Sequence, residues 1–269
     1  MSDDVMDTLI LSDVHLGSEI SRARDALTVL ESNNFRRLIL LGDIFSDLNF
    51  GRLTGEHWKF LSAIRKLSNP KRGVEVVWVE GNHDQGLSKV MSHLVGIPVY
   101  KQYVWEYGGR RHLAIHGHQF DRFVSANYLI SRLGELAYYQ IQKYDTRGKT
   151  LSRFLDRLNT RWLQLSGKVA RGAMAYAATG GMHRVFCGHT HVAMKLVNHG
   201  VEYYNSGSWV DLRATYVTVG NDGVAIRDFA GGIDDRHSVE ERVEQPAAFI
   251  AVHQPAGLRA FALHQSVRC

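Results

Sequence analysis

Five short segments place metal-binding side chains directly after apolar runs of the chain. They are 13–15 (DVH), 42–43 (GD), 81–84 (GNHD), 116–118 (HGH) and 188–191 (GHTH). An apolar strand that ends on a lone carboxylate needs a partner for it, because burying an unpaired charge is costly. Residues two apart on an extended chain point the same way, so Asp13 and His15, or His189 and His191, can bind one ion from one strand end. The mixture of Asp, Asn and His, with no Cys among the candidate ligands, favours Mn²⁺, Fe²⁺ or Zn²⁺ over Ca²⁺ and argues against a structural zinc cage.

The elements that position these side chains alternate between strand and helix in the first third of the chain. The periodicity predicts strands over 8–13, 37–43 and 73–82, and helices over 19–32 and 54–67, with Trp58 on the buried stripe of the second helix. Such alternation is typical of βαβ units, in which helices cover a parallel sheet. Ligands of open α/β sheets bind beyond the carboxyl ends of the strands. We therefore expect the five segments to meet at one edge of the sheet.

The rest of the chain changes character. Residues 97–118 predict an antiparallel hairpin around Gly108–Gly109, and further hairpins are predicted over 198–200 and 220–223. Between them, 121–179 contain no proline and have helical spacing, which predicts an inserted helical cap with a break near residue 147. We expect one domain over 1–230 and a C-terminal tail, 231–269, that is partly disordered or loosely docked.

The composition is that of a globular protein with a basic excess. Of 269 residues, 45% are hydrophobic and 22% are charged, and the net charge is +5. The excess favours anionic partners such as phosphorylated substrates, nucleic acid or acidic lipid. The acidic start, MSDDVMD, has no apolar region of a signal peptide, and no run approaches 18 apolar residues. With only two cysteines, these features predict a cytoplasmic protein in a reducing compartment.

Taken together and in order, the five segments resemble the motif set of the calcineurin-like metallophosphoesterases. That set is D-x-H, G-D-x-x-D, G-N-H-D, H and G-H-x-H, and the resemblance covers about 6–230. It implies an α/β fold, a four-layer αββα sandwich with an inserted helical cap. It also implies a pair of divalent metal ions, for which Mn²⁺ is our first choice and Fe²⁺ or Zn²⁺ the alternatives. Two such ions can hold both sides of an in-line displacement at phosphorus.

The resemblance also implies a role for each residue of the motifs. The metal ligands would be Asp13, His15 and His191 for the first ion, Asn82, His116 and His189 for the second, and Asp43 as the bridge between the two. His83 would be the catalytic group that stabilises developing charge or protonates the leaving oxygen, and Asp84 would orient His83. The motif expects Asp at position 46, where this chain has Ser46 followed by Asp47, so the contact of that Asp is in doubt. The resemblance assigns no substrate-binding residues.

Within this superfamily the chain is similar to the branch that contains UDP-2,3-diacylglucosamine hydrolases of lipid A synthesis. The similarity lies in HGHQFD, the helical insertion, CGHTHVAMK and YYNSGSWVD. The branch has Asp at the positions of His118 and Ser208, and its hydrolases have Arg where this chain has His83. These departures leave the implied metal ligands intact but weaken the assignment of a substrate.

The predicted cap carries a surplus of basic side chains, ten Lys or Arg against four Asp or Glu over 121–172. A cap with an apolar stripe and a basic face could cover acyl chains while its cations bind a diphosphate. It could instead make peripheral contact with the inner face of an anionic membrane. An ordinary helical hairpin with a solvated charged face is the alternative.

These observations favour a di-metal phosphoester hydrolase that cleaves the pyrophosphate bond of UDP-2,3-diacylglucosamine or a similar nucleotide-linked lipid. A phosphodiesterase or nuclease of the same superfamily is the first alternative, although the chain has no helix-turn-helix or zinc-finger motif. A non-catalytic scaffold that has lost its metals is the second, and the complete ligand set argues against it. The oligomeric state is left open by the sequence.

Overall fold

The structure is a computed structural model that describes 5–47, 49–86, 96–121, 149–211, 213–229 and 267–268, with the side chains of 149–163 and 267–268 excepted. Its helices are α1 (Ala23–Ser32), α2 (Gly55–Leu67) and α3 (Lys149–Thr179). Its strands are β1 (Met6–Leu11), β2 (Phe35–Leu41), β3 (Glu75–Val79), β4 (Val99–Tyr107), β5 (Arg110–Ala114), β6 (Arg184–Cys187), β7 (Met194–Asn198), β8 (Val201–Asn205), β9 (Thr215–Gly220), β10 (Gly223–Asp228) and β11 (Val267–Arg268).

The strands form two sheets that share β4. The first has the order β10-β9-β1-β2-β3-β4, and its β1, β2 and β3 run parallel. The second has the order β4-β5-β6-β8-β7, in which β5, β6 and β8 run parallel. The beginning of β4 pairs with β3 and the remainder with β5, so the chain passes from one sheet to the other within a single strand.

The apolar run of β2 shows how the layers form. Leu38 and Leu40 pack in the cluster that contains α1 and α2, whereas Ile39 and Leu41 pack in the cluster between the two sheets. A strand that is buried on both faces must be apolar at every position, which is why this run does not alternate with polar residues. On the far side of the second sheet, α3 packs through a stripe of small residues, among them Ala170, Ala173 and Ala177. The order helix, sheet, sheet, helix confirms the predicted four-layer sandwich.

Two local predictions in the first layer were wrong. The first helix begins at Ala23 rather than at residue 19, because the chain before it is held by hydrogen bonds to other loops, from Ser21 Oγ to the Val14 carbonyl and from the Arg22 amide to the Trp209 carbonyl. In α2, Trp58 is 53% exposed instead of buried.

The inward face of α2 is set by a histidine next to Trp58. The buried residues of the helix are His57, Phe60, Leu61 and Ile64. Nδ1 of His57 accepts hydrogen bonds from the backbone amides of Gly17 and Thr54, at 3.3 and 3.1 Å. Because these bonds fix His57 on the buried side, Trp58 is turned outward by the helical period of 3.6 residues.

The three predicted hairpins are confirmed as β4–β5, β7–β8 and β9–β10. The first part of the predicted cap, 122–148, and most of the predicted tail lie outside the described residues, so the cap and the tail stay predictions. The described end of the 121–179 segment is α3, and the described end of the tail is β11, which pairs with β4. Within the part of the chain that the structure describes, no helix is long and apolar enough to cross a membrane.

Candidate metal centre

The candidate ligands lie where β1, β2, β3, β5 and β6 end. The loops that follow β1 and β2 remain hydrogen-bonded to each other, because the Asp13 amide donates to the Gly42 carbonyl and the His15 amide to the Asp43 carbonyl, both at 3.0 Å. The chain after β6 is tied to the same place, since the His189 amide donates to the Asp13 carboxylate at 3.1 Å. The fold therefore brings the motif segments to one edge, as the parallel sheet predicted.

Five of the candidate ligands have left-handed backbone conformations. Their φ angles are 52° for Asp13, 50° for His15, 51° for Asp43, 67° for His189 and 57° for His191. A positive φ is uncommon for residues other than glycine and costs free energy, so it persists only where the surroundings impose it. Among the described residues the one other case is His199, in the turn between β7 and β8. Unfavourable backbone is thus concentrated at this edge, which is typical of functional sites.

The first group of ligands consists of Asp13, His15 and His191. Nε2 of His191 lies 3.2 Å from Nε2 of His15 and 3.3 Å from Oδ1 of Asp13, and the third edge of this triangle measures 3.8 Å. A tetrahedral ion with bonds of about 2.1 Å has ligand-to-ligand edges of about 3.4 Å. The three atoms are therefore already spaced as the ligands of a transition-metal ion.

The second group consists of Asp43, His116 and His189, with one ligand atom of each within 4.8 Å of the others. Nε2 of His116 lies 3.1 Å from Oδ2 of Asp43, and its Nδ1 donates to the Leu41 carbonyl at 2.9 Å, which leaves Nε2 for an ion. The seventh predicted ligand, Asn82, has a buried Oδ1 without a hydrogen-bond partner among the described residues. A buried amide oxygen without a partner is unfavourable, and a cation would satisfy it.

Two glycines make this close approach possible. A Cβ atom added at Gly81 would overlap the Asp43 carboxylate, and one added at Gly188 would overlap the Asp13 carboxylate. The structure thus accounts for the glycines beside the ligands, because the backbone comes so near to the carboxylates that no side chain fits.

Neighbouring charges and burial determine the protonation of the ligands in the site. Burial opposes ionisation of Asp43, but the neighbouring His116 and His83 outweigh it and hold the pKa of Asp43 well below its usual value. Burial likewise opposes protonation of His116, yet Asp43 raises the pKa of His116 to about 10. For His15, burial and the proximity of His191 lower the pKa to about 3, so this imidazole is neutral and ready to bind an ion. The donor set of carboxylate, amide and imidazole fits two divalent cations of borderline hardness.

The predicted catalytic residues, His83 and Asp84, both contact the loop that follows β2. Nδ1 of His83 faces the Ser46 carbonyl at 2.8 Å, and its ring centroid lies 5.2 Å from that of His15. The Asp84 carboxylate accepts hydrogen bonds from the Ile44 and Phe45 amides at 3.2 and 3.0 Å, so it holds the backbone that follows Asp43. That Asp84 also orients His83 stays a prediction.

The replacement at position 46 is thereby explained. His83 is held by the main chain of Ser46, which does not depend on the side chain that the motif expects. Asp47 does not substitute for the missing Asp, because its carboxylate pairs with Arg52 at 2.7 Å and accepts from the Asn49 amide at 2.9 Å.

Sequence reasoning missed Asp121, whose Oδ2 lies 3.1 Å from Nε2 of His189. The signal was present, since a carboxylate ends the HGHQFD stretch directly after an apolar residue. Near it lies His118, with its ring 5.5 Å from that of His116 and its Nε2 3.3 Å from Nε2 of Gln85. Ser208, the other departure from the branch pattern, donates to Asp211 at 2.6 Å.

Comparison with known proteins identifies relatives of this arrangement. The sequence profile described as calcineurin-like phosphoesterase matches residues 6–193. A comparison with curated protein sequences gave no significant match. Solved structures with a similar fold include the phosphoesterase YfcE from E. coli, at 16% identity and a TM-score of 0.49, covering 84% of this chain and 94% of that one.

Two further structures are an archaeal phosphodiesterase and a Vps29 mutant from Entamoeba histolytica. The phosphodiesterase has 14% identity and a TM-score of 0.46, and the match covers 83% of this chain and 99% of that chain. Vps29 has 13% identity and a TM-score of 0.43, and the match covers 82% and 97%.

Proposed function

Because the chain belongs to the calcineurin-like phosphoesterase family, we propose that it is a metal-dependent phosphoester hydrolase. One observation carries this proposal, the convergence of Asp13, His15 and His191 beside Asp43, His116 and His189 at one sheet edge. The buried oxygen of Asn82, which has no hydrogen-bond partner among the described residues, supports its place as the seventh ligand. A scaffold protein would have no reason to maintain five left-handed residues in this set, because such backbone costs free energy.

The two ions, when bound, would supply Lewis acidity toward phosphoryl oxygens and lower the pKa of water. The nitrogen and oxygen ligands suit Mn²⁺, which we propose as the metal, with Fe²⁺ or Zn²⁺ as alternatives. Asp13, His15 and His191 would hold the first ion, and Asn82, His116 and His189 the second, with Asp43 shared between them. The chain's own contribution is to fix these ligands before substrate arrives.

His83 is the proposed catalytic acid. Its Nδ1 donates to the Ser46 carbonyl, so the proton available to a substrate is the one on Nε2. Donation from Nε2 while Nδ1 also carries a proton requires the imidazolium form, which stabilises negative charge that develops on the leaving oxygen. Asp84 holds the main chain of Ile44 and Phe45, next to the shared ligand Asp43.

For the substrate we propose the pyrophosphate bond of UDP-2,3-diacylglucosamine or a similar nucleotide-linked lipid. The support is the motif resemblance to that branch and the basic surplus of the predicted cap. His118 and Ser208 replace aspartates of that branch. These replacements favour a substrate related to UDP-2,3-diacylglucosamine over that compound itself. A phosphodiester of nucleotides or nucleic acid is the alternative, which the overall positive charge favours.

A substrate panel tests the proposal. Protein loaded with Mn²⁺ is assayed against acylated UDP-sugar, cyclic nucleotides, dinucleoside polyphosphates and single-stranded DNA, with a chelator-treated sample as control. We expect metal-dependent turnover with the acylated UDP-sugar preferred. Preference for DNA or cyclic nucleotides would replace the substrate, and binding of two ions without turnover of any compound would favour the scaffold.

A further inference from the structure

Asp121 lies behind the second group of ligands. It follows the short 3₁₀ helix His118–Phe120, and its amide donates to the His118 carbonyl at 3.1 Å. The residue is only 1% exposed, and its Oδ2 lies 3.1 Å from Nε2 of His189. A buried carboxylate at this distance from an imidazole accepts a hydrogen bond from its N–H.

This hydrogen bond decides which nitrogen of His189 can bind an ion. With the proton on Nε2, directed at Asp121, the nitrogen that carries a lone pair is Nδ1. In His116 the assignment is the reverse, because its Nδ1 donates to the Leu41 carbonyl and Nε2 stays free. The two imidazoles of one ion site are thus fixed by different acceptors, a main-chain carbonyl for one and a carboxylate for the other.

We propose that Asp121 is a positioning residue for the second metal ion and acts through His189. The carboxylate fixes the tautomer and the ring orientation of His189 and makes Nδ1 a more basic ligand. The main chain of His189 is held independently, since its amide donates to the Asp13 carboxylate at 3.1 Å. The Asp121 contact therefore controls the ring of His189 and leaves its backbone in place.

The inference rests on the metal centre of the proposed function and does not depend on the substrate. Asp121 is also the first residue of the segment predicted as the cap. The residue whose carboxylate contacts His189 is therefore the one at which that segment begins.

The test measures metal affinity in the full-length protein. Isothermal titration with Mn²⁺ and elemental analysis are carried out on the wild type, Asp121→Ala and Asp121→Asn. We expect Asp121→Ala to keep the first ion and to bind the second about 10–100 times more weakly. Asp121→Asn keeps an acceptor of the same size without the charge, so its affinity should lie between those of the other two proteins.

A matched control separates this role from the general cost of losing a buried carboxylate. Asp7→Asn removes such a group at the start of β1, where Asp7 pairs with Arg37 at 3.2 Å. This position is about 20 Å from the site, which lies beyond the other end of the strand. The variant should bind both ions with wild-type affinity. Equal affinities in the wild type and Asp121→Asn, or the same loss in Asp7→Asn, would overturn the proposal. If Asp121→Ala does not fold, Asp121→Asn and the control decide the question alone.

A spectroscopic readout tests the tautomer directly. In the Zn²⁺-loaded protein, ¹⁵N-histidine spectra should show the His189 proton on Nε2 and a metal-bound Nδ1. A proton on Nδ1 would contradict the proposal. These experiments measure no turnover, so a protein that binds both ions but hydrolyses nothing would reject the proposed function and leave the role of Asp121 intact. A wild type that binds neither ion would reject both proposals.

Discussion

The two ends of the strands carry carboxylates that are neutralised in different ways. At the amino ends of the strands, Arg37 pairs with Asp7 and Glu75 at 3.2 and 2.8 Å, and Arg184 pairs with Glu202 at 3.1 Å. At the carboxyl ends, the carboxylates face imidazoles and glycine backbone, without an Arg or Lys among their described ion pairs.

This difference separates a structural cluster from a binding site. A guanidinium is permanently charged and satisfies a carboxylate inside the protein. An imidazole can give up its proton, and the carboxylate and the imidazole then become two ligands for the same cation. Left-handed backbone occurs at the site end and, apart from one hairpin turn, nowhere else among the described non-glycine residues. Buried acids are therefore informative about function mainly through the kind of partner they have.

The largest effect is expected for Asp43→Ala, which removes the carboxylate predicted to be shared by both ions. Turnover should fall at least about 1,000-fold on every substrate, since an ion contributes several kcal/mol of transition-state stabilisation. Steady-state kinetics with Mn²⁺ measures this, and Asp7→Asn is the control at the opposite end. Activity retained in Asp43→Ala would contradict the bridging role.

A change at the opposite end should affect stability and leave ion binding alone. Arg37→Met removes the cation but keeps the length of the side chain, so Asp7 loses its described ion-pair partner in a largely buried place. We expect the free energy of unfolding to fall by about 3 kcal/mol, measured by urea denaturation. Two Mn²⁺ ions should still bind. Loss of an ion in this variant would show that the two ends are not independent.

Acid should lower the stability of the fold through His112 in the second sheet. This residue is fully buried between the rings of Trp105 and Phe186. Burial, and after it the positive charge of Arg184, lower the pKa of His112 to about 4, whereas an unfolded chain titrates near 6.5. Between these values only the unfolded state takes up the proton, so stability is complete above about pH 6.5 and falls as the pH decreases toward 4.

We expect this histidine to account for a loss of about 2 kcal/mol between pH 7 and pH 5. Denaturation of metal-free wild type and His112→Phe at both pH values measures it, because phenylalanine keeps the ring and cannot titrate. The variant should show a flatter pH dependence. Identical pH profiles would mean that other groups cause the acid sensitivity.

The smallest effect on stability is expected for an exposed ion pair whose hydrogen bonds are shorter than that between Arg37 and Asp7. Arg213 binds Asp228 through two hydrogen bonds of 2.7 Å, but its side chain is 62% exposed, compared with 17% for Arg37. Arg213→Met should cost less than about 1 kcal/mol, because solvent screens exposed pairs. A loss as large as that of Arg37→Met would show that pairing rather than burial determines stability here.

The sequence predicted the parts of this molecule that depend on local patterns. Apolar runs such as that of β2 predict strands, and the spacing of Asp13 and His15 predicts that both bind the same ion. It did not predict the outward turn of Trp58, because one of the two amides that hold His57 belongs to Gly17, forty residues away. The Leu41 and Ser46 carbonyls were also missed, since main-chain acceptors carry no residue-type signal. The carboxylate that ends HGHQFD marked Asp121 as a candidate, but its partner, His189, is 68 residues away and meets it only in the folded second sheet.

The strand shared by the two sheets has a consequence for the ions themselves. The first sheet supplies Asp13, His15, Asp43 and Asn82, and the second supplies His116, His189 and His191. Each ion would therefore draw ligands from both sheets, while β4 is the one strand in the described topology that joins them covalently at their edge. Ions bound here would therefore join the two sheets through side chains, in addition to the main-chain connection that β4 makes. Their binding would oppose rotation of one sheet against the other.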